Sequence, residues 1–228
     1  MRAPIAIALD VPTLLQATTY TQQLAGHVAM IKVGLQSYLR DGNLGTLQIK
    51  ENLQGAELFL DLKLHDIPQT VAGAVKSIKQ LNPDVLTVHA AGGTEMLKAA
   101  VETAGEIDIA AVTILTSLTQ PDVSVFSDHQ IADLVQRLAE SAVNAGCRAI
   151  VCSPHEVKQV RAVVGDQIRL IVPGVRMPAD AADDQMRIAT PAQTVAAGAD
   201  ILVMGRGILG SSTPIEQIAK VVQSIEAR

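Results

Sequence analysis

The sequence predicts an α/β fold, a single (β/α)8 TIM barrel with a closed parallel sheet, and three observations lead to it. Short apolar runs rich in β-branched residues recur along the whole chain, each followed by a longer stretch with helical spacing, as in successive βα units. Eight such runs can be counted, the strand number of that barrel. No Gly/Ser linker or shift in composition separates them, which favours a closed barrel over an open doubly wound sheet and makes residues 1–228 one domain.

Taken in order, the expected strands are Ile5 to Asp10, Ala29 to Gly34, Glu57 to Leu64, Val85 to Ala90, Ile109 to Thr116, Ala149 to Ser153, Arg169 to Gly174 and Ile201 to Gly205. Two helix starts carry the pattern of a hydroxyl cap, a Pro at the first helical position and a Glu at the third: Ser153-Pro154-His155-Glu156 and Thr213-Pro214-Ile215-Glu216. The last helix presents Ile215, Ile218, Val222 and Ile225 as the stripe that packs on the barrel.

Composition excludes several functions. The chain has two Phe, two Tyr and no Trp, and a net charge of −5, so it lacks the stacking rings and basic groove of a nucleic-acid binder. The opening segment ends its apolar run at Asp10 and does not read as a secretory signal, and the stretch from Val11 to Ile31 is too polar to span a bilayer. A soluble, cytoplasmic protein is expected. Cys147 and Cys152 lack neighbouring His ligands and read as free thiols in a reducing compartment, with neither a disulfide framework nor a zinc site.

In a barrel, chemistry gathers at the C-terminal ends of the strands, and here almost every strand ends in a reactive residue. Asp10 closes the first, Lys32 the second, Asp61-Leu62-Lys63-Leu64-His65-Asp66 the third, His89 the fourth and Thr116-Ser117 the fifth. Side chains alternate along a strand, so Asp61 and Lys63 share a face. A Lys entering an aliphatic barrel requires compensating carboxylates, and Asp61 and Asp66 are the natural partners. With Lys32 and Asp10 arriving at the same rim, two ammoniums and three carboxylates read as a site rather than a structural plug. An ammonium held between carboxylates suits the stabilisation of developing negative charge followed by proton donation, and suits a Schiff-base nucleophile poorly. The cluster therefore points to carbanion chemistry by electrostatics.

The phosphate end is read from Pro173-Gly174-Val175-Arg176 after the seventh strand and Gly205-Arg206-Gly207 after the eighth, where barrel enzymes frequently hold a phosphate. Gln185, in the polar stretch Asp180 to Arg187, could close over a ligand as part of a lid. His65 and His89 lack a convergent set of acids beyond those that Lys63 requires, so each is read as a histidine with a local hydrogen bond, and no metal is expected.

With these residues in place the chain resembles the bacterial, monofunctional orotidine 5′-phosphate decarboxylase family over essentially its whole length. The motifs are Ala8-Leu9-Asp10, Ile31-Lys32-Val33-Gly34, Asp61 through Pro68, Leu115-Thr116-Ser117, Val172 through Arg176 and Gly205-Arg206. Leu64, Gln69 and Gly207 depart from what relatives often carry, and none is a charged position. The resemblance implies a homodimer without metal or organic cofactor that converts orotidine 5′-monophosphate to uridine 5′-monophosphate. It implies that Lys63 protonates C6 after carbon dioxide leaves and that Asp61 sits near the substrate carboxylate. Lys32 and Asp10 would bind the ribose hydroxyls and order the charges, while Asp66, Ile67 and Thr70 would reach into the partner subunit's site. Thr116 and Ser117 would meet the pyrimidine edge. Gln185, Gly205 and Arg206, with Pro173 and Arg176 near them, would hold the phosphate.

Two other readings compete. A Mg²⁺-dependent sugar-phosphate decarboxylase of the same barrel type, similar to 3-keto-gulonate 6-phosphate decarboxylase, also carries a D-x-K-x-x-D strand, but Lys32 stands where a metal site would want a carboxylate. A catalytically inert nucleotide-binding barrel would bind ligand without turnover.

Overall fold

The computed structural model describes residues 2–177 and 189–227. Its sheet is a closed barrel of parallel strands paired in chain order. They are β1 (Ala3–Ala8), β2 (Val28–Gly34), β3 (Glu57–Leu64), β4 (Val85–His89), β5 (Asp108–Val112), β6 (Ala149–Val151), β7 (Arg169–Val172) and β8 (Ile201–Met204). β8 closes the barrel by pairing Leu202 with Ile5 and Met204 with Ile7 of β1. The expected strands all form. Several end sooner than the apolar runs do, β1 at Ala8, β5 at Val112, β6 at Val151, β7 at Val172 and β8 at Met204.

The helices among the described residues are α1 (Leu14–Leu24), α2 (Leu35–Lys50), α3 (Pro68–Ile78), α4 (Thr94–Ala104), α5 (Gln120–Val123), α6 (Ile131–Asn144), α7 (Val157–Val164), α8 (Pro191–Ala196), α9 (Arg206–Leu209) and α10 (Pro214–Glu226). Both faces of each strand are covered, so two apolar layers result. Ile5, Ile7, Ile31, Leu58, Leu60, Leu86 and Val88 face outward into the layer shared with the helices. Ala6, Met30, Phe59, Val85, Ala110, Ala149, Ile171 and Ile201 fill the barrel interior. Ala, Val, Ile and Met fill that interior with a single ring, Phe59, so the barrel is packed rather than open.

Helix starts differ from the sequence pattern in instructive ways. Glu156 does fold back, its carboxylate accepting from the Ser153 N–H at 3.2 Å, but residues 154–156 form a turn and α7 begins only at Val157. At Thr213 the helix begins where expected, yet the side chain makes no capping hydrogen bond. Complete capping boxes occur instead at Thr119 with Asp122 and at Thr190 with Gln193. In α10, Ile218 and Val221 are buried and Val222 and Ile225 partly so, whereas Ile215 in the first turn is exposed. Cys147 and Cys152 are both buried and form no disulfide, and burial pushes the Cys147 thiol up to about 12. No helix among the described residues is long and apolar enough to cross a membrane.

Candidate active site

The strand register sets the site. Moving two residues along each strand from the interior plug keeps the same inward face. From Ala6, Met30, Phe59 and Val85 this step leads to Ala8, Lys32, Asp61 and Thr87. Above this layer opens a cavity of about 770 Å³ whose wall includes Asp10, Lys32, Asp61 and Lys63 as well as Pro173, Arg176, Gly205 and Arg206.

The charged residues form a continuous alternating row. Lys32 Nζ lies 3.7 Å from Asp10 Oδ2 and 3.2 Å from Asp61 Oδ2, and Lys63 Nζ donates to Asp61 Oδ1 at 2.7 Å. Lys32 is almost completely buried, at 5% exposure, so its charge is stabilised by these two carboxylates rather than by water. Burial pushes the Asp61 carboxyl up, but the charges of Lys32 and Lys63 and their hydrogen bonds outweigh it and hold the group below its usual 3.8. Asp61 is thus an anion fixed between two cations.

Lys63 reaches this position through a break in the sheet that simple alternation does not foresee. Leu60 pairs with Leu86 and Leu64 with Val88, so Asp61, Leu62 and Lys63 stand opposite the single residue Thr87. The resulting bulge puts Lys63 at φ 49°, a left-handed conformation that costs a non-glycine residue about 1–3 kcal/mol. Its backbone N–H donates to Thr87 Oγ1 at 2.8 Å in place of a ladder carbonyl. Such strain persists only where its surroundings over-determine it.

Gly34, the last residue of β2, pairs with Asp61 across the sheet. A Cβ there would lie 2.8 Å from Asp10 Oδ1 and 2.9 Å from Lys32 Nζ, so the absence of a side chain is what admits the ion pair. Ser37 in the first turn of α2 donates to the Leu9 carbonyl at 2.6 Å, pinning the backbone that carries Asp10.

At the end of β8 Gly205 precedes α9, and Arg206 is its first residue. A Cβ on Gly205 would lie 3.3 Å from both Cβ and the carbonyl oxygen of Ala8, so β8 leaves the barrel close against β1. Arg176 N donates to the Ala189 carbonyl at 3.0 Å, and Ala189 N to the Gly174 carbonyl at 3.2 Å. Gln185 lies outside the described residues.

The remaining expected residues divide. Thr116 lines the cavity, whereas Ser117 beside it is exposed and does not. Asp66 does not join Lys63 within the subunit: its carboxylate turns back to accept from the Ile67 N–H at 2.7 Å at the start of α3. The row therefore holds two carboxylates, not three. Asp66, Ile67 and Thr70 fall in an exposed run, with Ile67 at 65% exposure. His65 and His89 lie against each other with ring centroids 5.2 Å apart. Burial, with the neighbouring His65 and Lys63, holds the His89 pKa below its usual value.

Sequence reasoning missed other cavity residues, among them Gln16, Tyr20, Gln36 and Phe59. Gln16 and Tyr20 sit one turn apart on α1, and Tyr20 donates to the Leu209 carbonyl at 3.0 Å, tying α1 to α9. Their i, i+4 spacing was the available signal. Phe59 was legible from its place two residues before Asp61 on the same strand face.

Residues 3–221 match the family described as orotidine 5′-phosphate decarboxylase / HUMPS. The chain belongs to this family. The match to the orotidine 5′-phosphate decarboxylase / HUMPS family runs from the first strand to α10 and so includes every wall of the cavity. A relative named orotidine 5′-phosphate decarboxylase, from Thermobifida fusca (strain YX), is 52% identical over 218 residues, covering 94% of this chain and 92% of the relative. One of the same name from Anaeromyxobacter sp. (strain K) is 46% identical over 215 residues, covering 92% of each. Among solved structures, the crystal structure of orotidine 5′-phosphate decarboxylase from Lactobacillus acidophilus is similar at a TM-score of 0.83 and 31% identity, covering 98% of this chain and 99% of that one.

Proposed function

We propose that this member of the family is a carboxy-lyase that decarboxylates orotidine 5′-monophosphate to uridine 5′-monophosphate, a step of pyrimidine biosynthesis. The observation that carries the reading is the row Asp10, Lys32, Asp61, Lys63 lining one cavity together with Arg176 and Arg206, in a chain of this family.

Loss of carbon dioxide from the sp² carbon C6 leaves an in-plane anion that the pyrimidine cannot delocalise as an enolate. A fixed ammonium is the direct means of stabilising it. Lys63 takes this role, held by Asp61 and aimed by the bulge, and then gives C6 its proton. Asp61, kept ionised by its two cations, lies beside the substrate carboxylate. Lys32 and Asp10 take the ribose hydroxyls, and Thr116 and Ser117 the pyrimidine edge. Pro173, Arg176, Gln185, Gly205 and Arg206 hold the phosphate, whose binding energy, remote from C6, organises the charged row.

The active form is a homodimer of single-domain subunits, residues 1–228, in the cytoplasm, with Asp66, Ile67 and Thr70 of each subunit completing the partner's site. The exposed run around Ile67 beside the cavity-bearing strand supports this arrangement. No metal or organic cofactor takes part. A divalent cation at the sugar end would meet Lys32, whose ammonium already occupies the space between the Asp10 and Asp61 carboxylates.

Incubating the purified protein with orotidine 5′-monophosphate and following the loss of its ultraviolet band tests the reading, with parallel samples in EDTA and in Mg²⁺. Turnover unaffected by EDTA is expected. Binding without turnover would point to an inert nucleotide barrel, and activity lost with chelator and restored by Mg²⁺ would point to the metal-dependent sugar-phosphate class.

A further inference from the structure

We propose that Thr87 is the positioning residue that aims Lys63 and Asp61 at the substrate. This inference rests on the decarboxylase reading and deepens it. Thr87 is fully buried in β4 and does not line the cavity, so it touches the site only through those two residues. It stands alone opposite the three residues Asp61, Leu62 and Lys63.

A hydroxyl has one proton to donate and lone pairs to accept, and here both are used in a fixed sense. The Lys63 backbone N–H can only donate, so Thr87 Oγ1 accepts it, at 2.8 Å. The ionised Asp61 carboxylate can only accept, so the same oxygen donates its proton to Oδ1, at 3.1 Å. Asp61 Oδ1 also receives Lys63 Nζ, which closes a small ring from the Lys63 backbone through Thr87 and Asp61 to the Lys63 ammonium. One hydroxyl thereby supplies the partner that the bulge takes from the Lys63 N–H and orients the carboxylate that holds the Lys63 side chain. Within the described β3–β4 pairing, it is the group that makes the left-handed Lys63 self-consistent.

The test compares Thr87→Val, which keeps the shape and removes the hydroxyl, with Thr87→Ser, which keeps the hydroxyl. For Thr87→Val, kcat is expected to fall about 10- to 100-fold, the range for losing a hydrogen bond to a charged centre, with KM within about threefold of wild type. Thr87→Ser should stay within about threefold of wild type in both. A Thr87→Val enzyme of near-normal kcat, a Thr87→Ser enzyme as slow as Thr87→Val, or a change confined to KM would overturn the proposal. If Thr87→Val does not fold, Thr87→Ala against Thr87→Ser makes the same comparison.

Crystal structures of the variants supply a readout independent of turnover. The variant without the hydroxyl should lose the positive φ of Lys63 or the contact of its Nζ with Asp61, and Thr87→Ser should keep both; retention of both features without the hydroxyl would contradict the proposal even if the wild-type protein acted on a different substrate. Turnover of orotidine 5′-monophosphate by the wild type tests the functional reading separately.

Discussion

A methyl group on Gly34 would stand 2.8 Å from Oδ1 of Asp10, closer than carbon and oxygen can pack. Gly34 has φ −92° and ψ −178°, an extended conformation open to any residue, so the constraint is space and not backbone freedom.

Gly34→Ala is therefore expected to displace Asp10 and Lys32 while leaving the barrel intact. A fall in kcat/KM of about 10- to 100-fold, as for loss of a charged contact, should accompany a thermal midpoint within a few degrees of wild type. Steady-state kinetics beside a melting curve checks this. Unchanged kinetics would mean that the Asp10 to Lys32 contact has no part in the reaction.

Asp61 gives a pH prediction. Its folded pKa lies below the ordinary 3.8, so its stabilising contribution is complete above that value and is lost as pH falls through the folded value. Asp61→Asn leaves the buried Lys32 without its nearer carboxylate and should cost about 3–5 kcal/mol in urea unfolding near neutral pH. The gap between wild type and variant should shrink as pH falls below about 3.8, where Asp61 of the unfolded chain takes up a proton first, and should close once the folded protein binds that proton as well. A gap that stays constant to the acid limit of folding would refute the depressed pKa.

Arg206→Ala should act mainly on the use of the phosphorylated substrate. A rise in KM and a fall in kcat/KM of roughly 100-fold are expected from removing a charge-assisted contact to phosphate. The uncharged nucleoside end would be unaffected, so weak product-nucleoside inhibition should not change. Equal kcat/KM in variant and wild type would remove Arg206 from the phosphate site.

For Asp66 the test is complementation. In a homodimer with shared sites, Asp66→Asn and Lys63→Ala proteins each fail alone, but half of randomly mixed dimers carry one intact site, restoring about a quarter of wild-type activity. Mixing after mild dissociation and measuring turnover decides it. No recovery, with subunit exchange demonstrated, would place Asp66 outside the partner's site.

These residues also mark where sequence reasoning reaches its limit. All eight strands and the rim positions of Asp10, Lys32, Asp61 and Lys63 follow from apolar periodicity, because a parallel barrel buries both strand faces and leaves polar side chains only at the ends. The bulge at Asp61 to Lys63 does not follow, since period-two alternation assumes one residue opposite one, and two extra residues on β3 are a property of the pairing with β4. Thr87 went unnoticed for the same reason: a Thr in an apolar strand is ordinary until its partners are seen. The expected pairing of Asp66 with Lys63 failed because a short carboxylate just before a helix meets the nearest backbone N–H first. Capping followed similar local competition, with the Ser153 and Thr213 patterns only half realised and those at Thr119 and Thr190 complete. The scarcity of rings, which argues against nucleic-acid binding, matches an interior packed with a single ring, Phe59, and a cavity whose handles are charges.

The most direct measurement is the turnover of Lys63→Ala with orotidine 5′-monophosphate, made on protein whose fold is verified by circular dichroism. Lys63 both stabilises the developing charge at C6 and supplies its proton, so a loss of at least about 10⁴-fold in kcat is predicted. A folded Lys63→Ala enzyme that keeps its rate within about tenfold of wild type would contradict the account.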